Sequence, residues 1–285
     1  MDLASLTHGL THQLGGYREH RPGPALAQVA EAVWTHEAPA CLTGMEGVHR
    51  VLPDPALNLA FRCHRARGGW PTGPRLVVIG PKSRPFLFRF RSGDEIAAVK
   101  VKLEWARPLL GLDPAAHLDR DDDITEALAG GPELLDALCG TGSADEACAL
   151  MVRSVTERLR GQEAAVSATS ATALDLVRAT TGRVRVDAVA RRMGISLRQL
   201  RRAVRTETAI SLKAYARITR LNHAMALADR AARPGWARLA AEAGFFDQSH
   251  LVRECRALAG LSPGQTHRER RAQAETSNPA RGRRH

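Results

Sequence analysis

The chain lacks the features that mark membrane-spanning, secreted or disulfide-rich proteins. No apolar run approaches eighteen residues, and the first residues contain no charged segment followed by an apolar one. The five cysteines are odd in number and scattered, without a Cys-x-x-Cys pair or zinc-ligand spacing. We therefore expect a cytoplasmic protein without a membrane partner, whose cysteines (Cys41, Cys63, Cys139, Cys148 and Cys255) stay reduced.

Signatures of catalysis and metal binding are also missing. The sequence contains neither a Gly-x-Ser-x-Gly nucleophile turn nor a Gly-x-x-x-x-Gly-Lys phosphate loop. His36, His49, His64 and Cys63 do not form a His-x-His or comparable strand-spaced pair, so we interpret them as scattered side chains. We interpret Asp121 to Asp123 as a capping cluster for a following helix. The sequence therefore predicts no enzymatic activity, no cofactor and no bound metal.

Lysine is rare and positive charge is unevenly placed. Of the 41 lysines and arginines only four are lysines, which coding bias can explain, and the net charge is +11. The segment from Arg183 to His285 carries +14, and the rest of the chain carries −3. Bias towards arginine does not explain this concentration, whereas a basic surface attracts a phosphate backbone. At 285 residues the chain can hold two domains, and nucleic acid is the expected partner of the second.

One helical pattern occurs twice in the basic part, about fifty residues apart. The first copy has Val189-Ala190, then Gly194-Ile195-Ser196, and the second has Leu239-Ala240, then Gly244 to Asp247. In each copy the alanine lets two helices approach, the glycine permits a tight turn, and Ser196 or Asp247 can cap the next helix. A single match also fits ordinary helical hairpins, but two in register predict a tandem helix-turn-helix domain.

A connecting helix is predicted between the two copies, from Ser211 to Arg230. Its apolar residues recur at spacings of three and four, which is typical of one buried helical face. Arg233-Pro234-Gly235 should end it. The predicted buried residues are Leu212, Tyr215, Ile218, Leu221, Met225 and Ala228.

These motifs resemble the DNA-binding domain of the AraC/XylS family of bacterial transcription regulators, over about Ala171 to Arg268. The strongest matching segment runs from Ala240 to Arg253 and is followed by Gly260-Leu261-Ser262-Pro263. The chain departs from the family pattern where Val204 and Cys255 replace aromatic residues. The resemblance implies a sequence-specific regulator that binds double-stranded promoter DNA and reads two successive major-groove segments. The resemblance also allows RNA polymerase as a further partner.

The candidate DNA-binding residues lie on the second helix of each copy. Arginine can bridge two acceptors of guanine or contact a phosphate, and glutamine, serine and histidine suit base edges. For Arg202 and Arg253 the sequence leaves open contacts to bases, to phosphates or only to protein. By the resemblance, all but Arg205, which lies one turn further along its helix, match the contacting positions of the family: Arg198, Arg201, Arg202, Arg205, Gln248, Ser249, His250 and Arg253.

The amino-terminal half is predicted to be rich in strands. From Gly47 the pattern changes from helical to strand-like, and glycine and proline separate the short runs, which favours a sandwich or small barrel. The segments beginning at Val51, Val78 and Val101 resemble the β-rich domains of one branch of the same family. That resemblance implies a domain that binds a small-molecule effector or forms a homodimer. The expected strands are 58–63, 76–79, 86–90 and 96–103.

The predicted architecture is therefore α+β, with four parts. Residues 1–160 form the β-rich domain with flanking helices at Ile124 to Cys139 and Ala144 to Arg160, 161–172 a linker, 173–268 the all-α tandem helix-turn-helix domain, and 269–285 a basic disordered tail. The second flanking helix can pack on its own domain or support a dimer. The alternative function is a metal-binding or enzymatic β-domain fused to a DNA-binding domain. The effector-binding residues, the operator and the sign of regulation are not predicted.

Overall fold

The amino-terminal half is a β domain. The computed structural model describes Leu3 and residues 7–14, 16–38, 46–66, 69–160, 166–231 and 233–276. Within them the strands are β1 Thr7–Leu14, β2 Tyr17–Pro22, β3 Ala30–Glu37, β4 Glu46–Val51, β5 Leu57–Arg65, β6 Pro71–Ile79, β7 Phe86–Arg91, β8 Asp94–Val101 and β9 Asp121–Asp123. Helix α1, Pro24–Ala27, lies between β2 and β3.

Seven strands form one antiparallel sheet in the order β1-β2-β3-β8-β5-β6-β9, and β4 and β7 form a second sheet. The predicted β-rich architecture and its four strands are confirmed, with the last ending at Val101. The start of the strand region at Gly47 was wrong, because β1 to β3 precede it. Strand β3 is buried on both faces, so it lacks the alternation from which a strand is read.

Strand β5 divides the β domain into two environments. Leu57, Leu59 and Phe61 lie in the main hydrophobic core, which also contains helical residues. Asn58 and Arg62 point to the opposite face and line a cavity between the sheets. Because side chains alternate along a strand, one stretch of chain builds both the core and the cavity.

Helices follow and cover the large sheet. A 3₁₀ turn at Leu103–Trp105 leads to α2 Ala106–Leu110, α3 Gly131–Cys139 and α4 Ala144–Leu159. The second flanking helix is confirmed, with Ser143 accepting a hydrogen bond from the amide of Glu146. The first flanking helix was predicted to start at Ile124, seven residues before its actual start at Gly131, whereas its predicted end at Cys139 is confirmed. Asp121 to Asp123 pair with β6 as a strand and do not cap a helix, so that interpretation was wrong.

The carboxyl-terminal part is entirely helical within the residues described there. The prediction of two helix-turn-helix units joined by one helix is confirmed, and a final helix follows them. The helices are α5 Ala168–Ala179, α6 Val186–Arg192, α7 Leu197–Thr208, α8 Leu212–Arg230, α9 Trp236–Glu242, α10 Gln248–Ala259 and α11 Pro263–Thr276.

Two expected boundaries fall inside helices. Helix α5 starts at Ala168, so the last residues of the predicted linker are helical, and residues 161–165 lie outside the described residues. Helix α11 continues to Thr276, so the tail cannot begin at 269, and residues 277–285 lie outside the described residues. Ala is the strongest helix former and Ser and Thr are only slightly unfavourable, so a segment rich in them can be helical where it packs against its neighbours.

Two hydrophobic cores hold the molecule together. The larger joins the β-domain helices to α5, α6, α7 and the first half of α8. The smaller surrounds the second half of α8, α9 and α10, and it also contains Leu52 from the β domain. Helix α8 therefore contributes to both cores. Of the helices in the described part, none is long and apolar enough to cross a membrane.

Candidate nucleic-acid interface

The first helix-turn-helix unit consists of α6, a tight turn and α7. Gly194 takes a left-handed φ of 66°, which favours glycine at the turn. Ser196 then begins α7 with a capping box: its hydroxyl accepts from the amide of Gln199, whose side-chain oxygen accepts from the amide of Ser196 at 2.9 Å. The predicted cap is confirmed, and it fixes the start of the helix that carries the arginines.

The second unit repeats this construction with α9 and α10. Gly244 has a φ of 80°, and the Asp247 carboxylate accepts a hydrogen bond from the amide of His250 at 2.6 Å. Phe245 is buried just after the turn and packs into the smaller core. The buried phenyl ring and the cap set the direction in which α10 leaves the turn.

The α7 arginines project from one side of their helix. Leu200 and Val204 are buried on the opposite side, which anchors α7 to the domain. Within the described residues, no carboxylate lies within ion-pair distance of these arginines, so an acidic neighbour does not occupy Arg202. All four guanidinium-bearing residues predicted here are exposed: Arg198, Arg201, Arg202 and Arg205.

The α10 residues are more mixed. Gln248, Ser249 and Arg253 are exposed, and the part of the chain that the structure describes offers Arg253 no carboxylate within ion-pair distance. His250 is partly buried: its Nδ1 accepts from the amide of Phe246 at 3.3 Å, and its ring meets that of Phe245 edge-on at 5.4 Å. Only Nε2 of His250 is left for an external contact, so this side chain also orders the turn.

Phe246 was not among the predicted site residues. Its side chain is 92% exposed and stands one position before the cap of α10. The signal in the sequence was the doubled Phe245-Phe246, since the turn can bury only one of two successive rings. In a DNA complex, an exposed phenyl ring at the start of the second helix of a helix-turn-helix unit can contact a sugar or a thymine methyl group.

Helix α8 joins the two units rigidly. All six residues of its predicted apolar face are buried. Two arginines tie it to its neighbours: Arg217 binds Glu254 of α10 at 2.7 Å, and Arg220 donates to the Gly182 carbonyl at 2.7 Å. Its 19 residues at about 1.5 Å each span about 28 Å.

The two helix-turn-helix units match a known protein family. Residues 189–269, which contain both units, match the family described as "Helix-turn-helix domain". The carboxyl-terminal domain is a helix-turn-helix domain of the AraC type. The AraC-type domain thus gives the chain the DNA-binding module of a transcription regulator.

The amino-terminal part of the chain matches a second family, and the chain is similar to several solved structures. Residues 18–122 match a family described as "Domain of unknown function (DUF6597)". A probable AraC family transcriptional regulator from Rhodopseudomonas palustris is 26% identical, over 37% of this chain and 99% of that one, with a TM-score of 0.32. ToxT from Vibrio cholerae is 11% identical, over 79% of this chain and 97% of that one, with a TM-score of 0.41. No curated protein sequence matches the chain.

A cavity of about 300 Å³ lies between the β domain and the AraC-type domain. Its walls come from both sheets, and α8 and α11 close one side with Asn222, Met225 and Arg270. At the wall of this cavity, the Asn222 side-chain amide donates to the Pro53 carbonyl at 2.9 Å. Helix α8, which joins the two helix-turn-helix units, therefore forms part of the cavity wall.

Of the three histidines considered as metal ligands, two lie in one aromatic cluster and the third lies elsewhere. His36 and His49 approach with ring centroids 6.2 Å apart, among the rings of Phe88 and Phe90. His64 instead lies beside Asp94, 3.1 Å from it. Across the described ranges, no three histidine, cysteine or acidic side chains form a group that could hold a metal ion.

Proposed function

We propose that the chain is a sequence-specific transcription regulator that reads two successive major-groove segments, with α7 in one and α10 in the next. The observation that carries this proposal is the continuous helix α8, whose two halves pack in different cores and thereby fix the separation of the two units. Successive major-groove segments on one face of DNA lie about one helical turn, roughly 34 Å, apart. The length of α8 is of that order.

The two units differ in chemistry, which supports different roles. Helix α7 presents exposed guanidinium groups, whereas α10 begins with the neutral side chains Gln248 and Ser249. Guanidinium pairs with guanine or phosphate, and a side-chain amide pairs with adenine. We therefore expect Arg201 and Gln248 to read separate blocks of one operator.

Binding-site selection with two variants tests this arrangement. Arg201→Ala should lose base preference in one block, by about 1–3 kcal/mol if the contact is bidentate. Gln248→Ala should alter a second block about 10 base pairs away. Arg84→Ala, which removes an exposed arginine of the β domain, is the control for loss of charge and should keep both blocks.

The outcome that refutes the tandem arrangement is equally specific. If Arg201→Ala and Gln248→Ala change preference at the same base pairs, one unit alone reads DNA. Unchanged affinity after insertion of five base pairs between the blocks also contradicts it, because half a turn rotates one block to the other face of the duplex. Affinity for the intact operator should fall steeply with salt.

We further propose that the β domain is a regulatory module that binds a small organic effector, without catalytic turnover. The cavity supports this role, since its volume falls in the range of about 300–1,000 Å³ typical of ligand sites and its wall includes α8. Dimerisation through this domain stays a second role that the family resemblance allows. One equivalent of metal retained after purification, and lost on His36→Ala or His49→Ala, would instead favour a metal-binding domain.

A further inference from the structure

The cavity of the β domain has an apolar interior. Six large side chains contribute apolar surface to its wall, and such surfaces gain free energy when they leave water for an apolar ligand. They come from both sheets and from α8, so a ligand between them touches both domains. These side chains are Trp34, Ile79, Phe86, Phe88, Ile96 and Met225.

Four of the five lysine and arginine side chains that line this cavity are neutralised by carboxylates. Lys82 binds Asp121 at 2.6 Å, and Lys100 binds Asp54 at 2.7 Å. The other two pairs are Arg50 with Glu269 at 2.7 Å and Arg270 with Asp229 at 2.6 Å. These four cations already have their counter-ions and need no ligand to balance them.

Arg62 is the fifth, and it has no such partner among the described residues. Its half-buried guanidinium lies 5.5 Å from the centre of the Phe88 ring. Arg62 lines both this cavity and a second, more open cleft, which His64 and Glu95 also line. Its direct cross-strand neighbour on β6 is another arginine, Arg75. Like charges placed opposite each other on a sheet are destabilising. Burial lowers the pKa of Arg62, and the charge of Arg75 lowers it further.

Two other polar groups at the cavity are also unsatisfied. Both ring nitrogens of His36 and the Oδ1 atom of Asn222 are buried without a hydrogen-bond partner. Buried polar groups without partners cost free energy, so each marks a place where a bound molecule could donate or accept. They lie in the wall of the same cavity that Arg62 enters.

We propose that this cavity binds an amphipathic carboxylate, with the carboxylate paired to Arg62 and the apolar body lying against Trp34, Phe88 and Ile96. This inference rests on the proposed regulatory function and names the chemical class of its effector. Arginine pairs with a carboxylate through two parallel hydrogen bonds, and no carboxylate of the described residues lies within ion-pair distance of Arg62 to occupy it. The size of the cavity limits the ligand to a small organic acid.

The test uses the full chain and three carboxylates, 3-phenylpropanoate, octanoate and 2-naphthoate, each beside its neutral primary amide. We expect at least one carboxylate to raise the melting temperature of the protein. It should also bind at least about tenfold more tightly than its amide, because the amide cannot form the charge-assisted pair with Arg62. Arg62→Gln should abolish that preference. The same variant without ligand should melt at or above the wild-type temperature, because it removes an unbalanced cation, whereas loss of a merely structural arginine would lower it.

Lys82→Gln is the matched control, because it removes a cation from the same cavity that Asp121 already neutralises. It should lower the melting temperature yet keep the preference for the carboxylate over its amide. Amides that bind as well as their carboxylates overturn the proposal, as does unchanged preference in Arg62→Gln or no binding by any of the three acids. Binding of amides alone would leave the regulatory function standing while excluding an anionic effector.

Discussion

At the scale of single residues, His36 shows how an aromatic cluster controls ionisation. Its side chain is 4% exposed, and its ring meets those of His49, Phe88 and Phe90 edge-on. Burial, and after it the charge of the neighbouring His49, lowers the pKa of His36 to about 4. The imidazole is therefore neutral in the folded protein at neutral pH.

Stability should consequently fall in acid. Because the pKa of His36 is lower in the folded than in the unfolded chain, its contribution is fully present above about pH 6.5 and is lost as the pH falls towards 4. The loss between pH 8 and pH 5 is about 2 kcal/mol. His36→Phe should flatten the dependence of the urea unfolding free energy on pH by this amount. An equally steep dependence in the variant would contradict this assignment.

The placement of the candidate DNA-binding residues on two capped helices was predictable from the sequence, whereas the cavity was not. Arg198, Arg201 and Gln248 follow from helical period and capping, which act within a few residues of one another. Arg62 could not be found in this way, because its significance depends on Arg75 across the sheet and on the absence of a carboxylate in three dimensions. The same holds for His36, whose neighbours come from other strands.

At the scale of elements, the second helices of the two helix-turn-helix units end differently. Helix α10 is followed by Gly260 with a φ of 75°, and α7 by Ala209 with a φ of 62°. Both residues adopt the left-handed conformation that commonly ends helices. Only glycine does so without steric strain, since the Cβ atom of other residues costs about 1–2 kcal/mol there.

Exchanging these two residues should therefore have opposite effects. Ala209→Gly should stabilise the protein by about 0.5–1 kcal/mol, after allowance for the greater freedom of glycine in the unfolded chain. Gly260→Ala should destabilise it by about 1 kcal/mol through strain alone, because an added Cβ meets no atom within 4 Å. Thermal unfolding of both variants measures the effects. A shift of the same sign in both would show that backbone strain does not decide them.

Element boundaries were predictable where local signals exist. Ser143, Ser196 and Asp247 each precede a helix and cap it. The segment after Asp123 lacked such a signal, since α3 begins at Gly131 without a side-chain cap. Strand β3 was missed because burial on both of its faces removes the period of two.

At the scale of the whole molecule, a buried ion pair joins the two domains. Arg178 of α5 contacts Glu104 in the 3₁₀ turn of the β domain, and Glu104 is almost completely buried. The Tyr215 hydroxyl accepts from Arg178 at 3.1 Å and donates to Glu31 at 3.0 Å. These contacts connect the β domain to α5 and to the first half of α8, whereas Leu52 of the β domain packs against the second half of α8.

Removing Arg178 alone should destabilise the assembly more than removing both members of this pair. Arg178→Met should cost about 3–5 kcal/mol, since it leaves the buried Glu104 carboxylate without its counter-ion. Glu104→Leu should cost less, because Glu31 and Asp175 stay within ion-pair distance of Arg178. The double variant Glu104→Leu with Arg178→Met should recover part of the loss caused by Arg178→Met. Urea unfolding of the three proteins checks this expectation. A double variant whose loss equals the sum of the single losses would mean that the two side chains do not interact.

The alternation along β5 also makes the β domain suited to redesign as a biosensor. Leu57, Leu59 and Phe61 form one column that holds the protein together, while Asn58, Ala60 and Arg62 form another that faces the cavity or its apolar border. A library restricted to the second column would vary the chemistry offered to a ligand and leave the column responsible for folding intact. We expect such a library to contain few misfolded members, because the core-facing and cavity-facing side chains lie at alternate positions of the same strand.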